Sequence, residues 1–122
     1  MTHKVLIVDD EPNIVVALEY LMRQNGFDVR AARNGEEALA LLGEFRPDVV
    51  LLDVMMPRKD GYQVAQTIRD TPALAGTRIV MLTAKGRETE ISKGLAVGAD
   101  AYITKPFSTL ELVEQVKRML DA

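Results

Sequence analysis

The sequence predicts an open α/β sandwich: a doubly wound, five-stranded parallel sheet with helices on both faces. Three observations lead there. Five short apolar runs recur along the 122 residues, at Val5–Val8, Val29–Ala32, Val49–Leu52, Ile79–Leu82 and Ala101–Thr104, and most are too continuous for half-exposed strands. Segments of helical spacing lie between them, and strands alternating with helices imply right-handed crossovers and a parallel sheet. Five such units are too few to close an eight-fold barrel.

Taken in order, the first run leads into a stripe of Ile14, Leu18, Leu21 and Met22, with Pro12 where a first-turn proline is tolerated and Gly26 at the helix end. The second run precedes Ala38, Leu41, Leu42 and Phe45, opened by the capping-box pair Asn34 and Glu37. The third precedes Val64 and Ile68, and Pro47 and Pro72 fall in connections. The fourth precedes Ile91 and Leu95, with Gly98 at that helix end. After the fifth, Ser108 and Glu111 open a helix striped by Leu110, Val113, Val116 and Leu120. No linker, low-complexity tract or residue-level repeat interrupts the chain, so one domain over residues 1–122 is expected.

Bulk properties narrow the function classes. An apolar share of 48% and a charged share of 27% suit a soluble globular protein with a sizeable core. With no cysteine, neither disulfides nor cysteine-ligated metal enters. A net charge of −3 argues against direct nucleic-acid binding, and no apolar run approaches membrane-spanning length. A cytoplasmic location is the expectation, and the single histidine, His3, reads as an exposed terminal residue.

Ligands of open parallel sheets sit outside the carboxyl ends of the strands. Strand one ends in Asp9 and Asp10, strand three in Asp53, strand four in Thr83, and strand five in Thr104 and Lys105. Singly, each has an ordinary reading: an acid at a helix start, a turn initiator before Pro57, a cap, a solvated lysine, with Met55 and Met56 as packing. Together they place three carboxylates, a hydroxyl and an ammonium at the one edge where such sheets act. Carboxylates about 5 Å apart repel by roughly 3 kcal/mol per pair at an effective dielectric of about 20, and one lysine offsets only part of that. Either the acids take up protons or a divalent cation binds, and the all-oxygen donor set favours Mg²⁺ or Mn²⁺ over Zn²⁺. Such a set suits phosphoryl transfer, with a carboxylate as acceptor. No G-x-x-x-x-G-K-[ST] or G-x-G-x-x-G loop is present, so a nucleotide is not the obvious ligand.

The ordered set "VDDEP", "LLDVMMPRKDG", "MLTAKG", "GADAYITKPF" closely resembles the receiver (CheY-like) domain of two-component response regulators, over essentially the whole chain. The resemblance implies a flavodoxin-like sheet of strand order 2-1-3-4-5. It implies that Asp53 is the phosphoacceptor, taking the group from a phosphohistidine on a sensor kinase or phosphotransfer protein, or from a small acyl phosphate. Asp10, Asp53 and the Met55 backbone carbonyl correspond to direct Mg²⁺ ligands, with Asp9 acting through water. Lys105 corresponds to the cation that pairs with Asp53 and then with the phosphoryl oxygens. Thr83 corresponds to the switch hydroxyl, assisted by the Ala84 backbone N–H, and Tyr102 to the switch aromatic that follows it inward. Pro106 is expected after a cis peptide.

In this reading the chain is no enzyme beyond catalysing its own phosphorylation and dephosphorylation. Phosphorylation repacks a face made of the fourth helix, strand five and the fifth helix, to which an effector protein or output domain binds. Monomer, or weak phosphorylation-dependent dimer, is the expected state. Met55 and Lys85 occupy positions that influence phosphoryl loss, and neither side chain suits activation of water, which implies a long-lived phosphorylated state. The chain ends at Asp121-Ala122, so a stand-alone receiver and one cut from a longer DNA-binding or other regulator fit equally, although Ala101 weakens the winged-helix class. A haloacid-dehalogenase-type phosphatase wants D-x-D where "VDDEPN" stands. A flavodoxin-like flavin module would need a Ser/Thr-rich phosphate loop after strand one. A phosphate-independent binding module would not require the complete acid, threonine and lysine set.

Overall fold

The computed structural model describes residues 2–54, 61–84 and 98–121. Five strands, β1 (Lys4–Val8), β2 (Asp28–Ala32), β3 (Val49–Asp53), β4 (Arg78–Ala84) and β5 (Ala101–Lys105), form one sheet in the order β2-β1-β3-β4-β5, and every pair is parallel. This is the flavodoxin-like order that the resemblance implies. Helices α1 (Pro12–Gln24), α2 (Gly35–Phe45) and α3 (Gly61–Asp70), a 3-10 turn at Pro72–Leu74 and a C-terminal helix (Thr109–Asp121) complete the described elements. Each strand starts or ends within a residue or two of the apolar run that announced it. The fourth helical stripe, Ile91 and Leu95, lies outside the described residues, as do Met55, Met56, Pro57 and Lys85.

Strand alternation divides the core into two layers. Leu6, Val8, Val50, Leu52, Ile79 and Met81 pack against Ala38, Leu42 and Phe45 of α2 and Val64, Ala65 and Ile68 of α3. Val5, Ile7, Val49, Leu51, Val80, Leu82 and Ile103 pack against Val15, Leu18 and Met22 of α1 and Leu112, Val113 and Val116 of the C-terminal helix. The central strands are therefore apolar on both faces, and their sequences read as unbroken runs. Only the edge strand β2 keeps an alternating pattern, with Asp28 and Arg30 exposed beside buried Val29.

The helix punctuation is as the sequence indicates. The backbone N–H of Glu37 donates to Asn34 Oδ1 at 2.9 Å, and Glu37 Oε1 accepts from Arg33 N at 3.1 Å. Glu111 N donates to Ser108 Oγ at 3.3 Å, and Pro12 stands at the start of α1. Gly26 and Gly98 both take positive φ, 86° and 93°. The C-terminal stripe needs a correction: Leu110 is 67% exposed, and Leu112 takes the buried place instead. Leu110 falls in the first turn, and Leu112, Val113 and Val116 supply the i, i+1, i+4 contact that one helical face can bury. His3 is only half-exposed and lies with Nδ1 3.7 Å from Asp48 Oδ2, whose main task is to accept the Lys4 N–H at 2.7 Å.

One backbone position is strained. Arg46 closes α2 in the left-handed region at φ 50°, ψ 66°, and its N–H donates to Leu42 O at 3.0 Å. A side chain there costs about 1–2 kcal/mol, and the extra unfolded-state entropy of glycine offsets part of the gain from removing it. Arg46→Gly should raise the unfolding free energy by about 0.5–1 kcal/mol in urea denaturation; no gain would mean that the Arg46 side chain contributes packing of comparable size.

Candidate functional site: an acidic edge with a lysine

The carboxyl ends of β1, β3 and β5 meet at one edge of the sheet. Burying Val49, Val50, Leu51 and Leu52, all fully inaccessible, contributes roughly 8 kcal/mol at about 2 kcal/mol per side chain. That is ample to draw the residue after them inward, and Asp53 is 6% exposed. Asp9 is fully buried by the same device at the end of β1, while Asp10, at the turn, is exposed. One carboxylate oxygen from each of Asp9, Asp10 and Asp53 lies within 4.8 Å of the other two. The crowding expected from the sequence is present.

Lys105 Nζ sits among the acids, 2.9 Å from Asp9 Oδ2, 3.6 Å from Asp53 Oδ2 and 3.8 Å from Glu11 Oε1. The resemblance pairs Lys105 with Asp53; here its hydrogen bond goes to Asp9, and Asp53 is the second partner. The reason is burial: Asp9 is fully enclosed and, among the described residues, has besides this the Glu11 N–H at 3.0 Å, so the ammonium is the partner that makes its burial tolerable. Burial pulls the Lys105 pKa down, but the Asp9 hydrogen bond and the charges of Asp53, Asp9 and Glu11 outweigh it and hold the group above its ordinary 10.5. A raised folded-state pKa means that the stability it contributes is complete below the ordinary value. It is lost only as pH rises through the higher folded one, so the ammonium stays charged throughout the neutral range.

Thr83 is 4% exposed, and its Oγ1 has no hydrogen-bond partner among the described residues. It stands one residue past Leu82, the β4 residue in register with Asp53, and opposite Thr104 of β5. By alternation Thr83 continues the face of Ile79 and Met81, where Tyr102, beside Met81 in register, packs half-buried against the core layer. Asp53 and Lys105 continue the other face, that of Leu51 and Ile103. The threonine and aromatic thus share one side of the sheet, the acid and lysine the other. Ala84 ends β4 opposite Lys105. The Lys105–Pro106 peptide is cis, as expected.

Two residues of the site were not picked out by sequence reasoning. Glu11 is the N-cap of α1, yet its side chain makes no cap hydrogen bond and lies near Lys105 instead. The signal was a glutamate where Ser, Thr, Asp or Asn is preferred. Gly61 opens α3 against the end of β3: a Cβ there would overlap the Asp53 carbonyl oxygen and lie 2.9 Å from Val54 Cα. Its mark in the sequence was the glycine closing "MMPRKDG".

Residues 5–117 match the family model of the response regulator receiver domain. The chain belongs to the response regulator receiver family. This receiver superposes with TM-score 0.95 on a protein of Chloroflexus aurantiacus J-10-fl taken to be a response regulator, 38% identical over 100% of both chains. It is 33% identical to the chemotaxis protein CheY4 of Vibrio cholerae, over 98% of this chain and 99% of that one, with TM-score 0.92. NtrX of Brucella abortus is 27% identical over 99% of the receiver but only 27% of its own chain, with TM-score 0.91. The receiver is therefore a module of two-component signalling, with an acidic cluster able to bind a metal. No helix among the described residues is long and apolar enough to cross a membrane.

Proposed function

We propose that Asp53 accepts a phosphoryl group and that the modified site drives a change of surface read by a partner. The observation that carries this is the convergence of Asp9, Asp10 and Asp53 within 4.8 Å of one another, with the Lys105 ammonium among them. The one charge of Lys105 does not balance three neighbouring carboxylates, and their hard oxygen set fits Mg²⁺ or Mn²⁺. Asp10 and Asp53 would hold the ion directly, with the Met55 carbonyl as a further ligand and Asp9 through water. When bound, it neutralises charge on the transferring phosphoryl oxygens.

The chain's own residues do the rest. An Asp53 carboxylate oxygen attacks phosphorus of a phosphohistidine on a sensor kinase or phosphotransfer protein. The new P–O bond forms as the P–N bond breaks, and the imidazole nitrogen keeps the electron pair and takes up a proton. With an acyl phosphate the P–O bond to the acyl group breaks and the carboxylate leaves. Lys105 turns from Asp9 towards the added oxygens, and the Ala84 N–H offers another donor. The group adds nearly one further negative charge and new acceptors, which the unpartnered Thr83 hydroxyl can meet only if the end of β4 moves. That movement opens room beside Met81 for Tyr102, repacking a face of β5 and the C-terminal helix; the fourth helix expected on that face lies outside the described residues. A partner preferring this arrangement shifts the population towards it. The place of a similar fold within the longer NtrX chain favours an output domain as one such partner.

The test is incubation with acetyl phosphate and Mg²⁺, wild type against Asp53→Ala, read by intact mass. One phosphoryl group on wild type and none on the variant is expected. Uptake by Asp53→Ala, or none by wild type, overturns the assignment.

A further inference from the structure

The N-cap of α1 is spent in an unusual way. Caps are ordinarily Ser, Thr, Asp or Asn, whose oxygens satisfy a first-turn N–H. Glu11 holds that position with φ −90° and ψ 110°, and no side-chain cap bond is made. Its backbone is nevertheless tied: the N–H donates to Asp9 Oδ1, and its carbonyl accepts from Ile14 N and Val15 N at 3.1 Å each. From this fixed base the carboxylate reaches to 3.8 Å from Lys105 Nζ, making Glu11 the third acid on that ammonium. Two of the three, Asp9 and Glu11, belong to the β1–α1 turn, and only Asp53 draws the lysine the other way.

We propose that Glu11 is a positioning residue that holds Lys105 on the β1 side of the cluster and so sets how readily the ammonium reaches a phosphoryl group at Asp53. The inference rests on the phosphoacceptor reading of Asp53. Glu11 acts through Lys105 and touches no reacting atom. Withdrawing its carboxylate leaves Asp9 as the lysine's counterweight to Asp53 among the described residues, shifting the ammonium towards the acceptor. The loss also lowers the negative charge that an incoming phosphoryl donor meets, so a test must separate reach from charge.

Glu11→Gln and Glu11→Asp do so together. The glutamine removes the charge. The aspartate keeps it, but its shorter arm falls short of Lys105 and suits the vacant cap, which turns the carboxylate to the backbone. Phosphorylation rates with acetyl phosphate, at saturating Mg²⁺ and limiting donor, should rise about threefold to tenfold in both variants, an estimate for one neighbouring charge in a partly screened site. A rise in Glu11→Gln with wild-type rates in Glu11→Asp would show bulk charge alone and overturn the proposal, as would no change in either. The ¹⁵Nζ resonance of Lys105, recorded without donor or metal, provides a readout independent of phosphorylation. It should move in both variants, and an unmoved signal overturns the positioning role. If wild type and variants all fail to take up a phosphoryl group while that resonance moves, the phosphoacceptor reading has failed and the placement of Lys105 by Glu11 stands.

Discussion

Thr83→Val should produce a receiver more stable than the wild type in which phosphorylation no longer reaches Tyr102. The hydroxyl is buried without a partner among the described residues, and such a group costs about 1–3 kcal/mol relative to an apolar replacement of the same shape. Valine keeps the β-branched form that a strand favours and fills the site among Met81 and its neighbours. A gain of about 1 kcal/mol in urea denaturation is expected. The same change removes the donor that a phosphoryl group on Asp53 would recruit, so the end of β4 has no reason to move. Adding beryllofluoride and Mg²⁺ should shift the Tyr102 ring resonances of the wild type and leave those of Thr83→Val in place, while Asp53 still takes up a phosphoryl group. A less stable variant, or an unaltered Tyr102 response, would remove Thr83 from the pathway.

The second large effect is expected at Gly61. The three atoms that a Cβ on this residue would meet most closely are all main-chain, the Asp53 carbonyl oxygen, Val54 Cα at 2.9 Å and Asp53 C at 3.2 Å, none of which can rotate aside. Gly61 N also donates to Val54 O at 3.0 Å, tying the start of α3 to the end of β3. Gly61→Ala must therefore push apart the two elements that set the main chain of Asp53, at a cost of about 3 kcal/mol. Displacing a reacting group by a fraction of an ångström costs about tenfold in rate, so phosphoryl uptake should fall with stability. Gly43→Ala is the control. Gly43 lies inside α2 with open space around it, and alanine there should stabilise by about 1 kcal/mol without altering phosphorylation. Equal effects at the two glycines would refute the steric argument.

Much of this was legible in the sequence, for physical reasons that can be named. Strands buried on both faces must be apolar throughout, so β1, β3 and β4 announced themselves, and the polar residues ending them marked the functional edge. The capping pairs at Asn34 and Ser108 act between neighbours in sequence and were readable for that reason. What escaped depends on approach between elements distant along the chain. That Lys105 hydrogen-bonds Asp9 across 96 residues, with Asp53 second, follows from which acid is more deeply enclosed, and burial of that kind has no local signature. Periodicity alone assigned Leu110 to a buried stripe, since the pattern cannot say which side of the first turn meets β5. Gly61 read as ordinary turn chemistry, whereas its value lies in the atom it omits against another strand.

Arg69, on α3, makes three contacts at the opposite end of the sheet: Nε with Gly98 O at 2.9 Å, Nη1 with Thr77 O at 2.8 Å and Nη2 with Asp100 Oδ2 at 2.7 Å. Asp100 in turn accepts the Ile79 N–H at 2.7 Å. The feet of β4 and β5 are thereby riveted to α3 and to each other. Any displacement begun at Thr83 finds no slack below, and must spend itself as a tilt of the upper strand ends about a fixed heel.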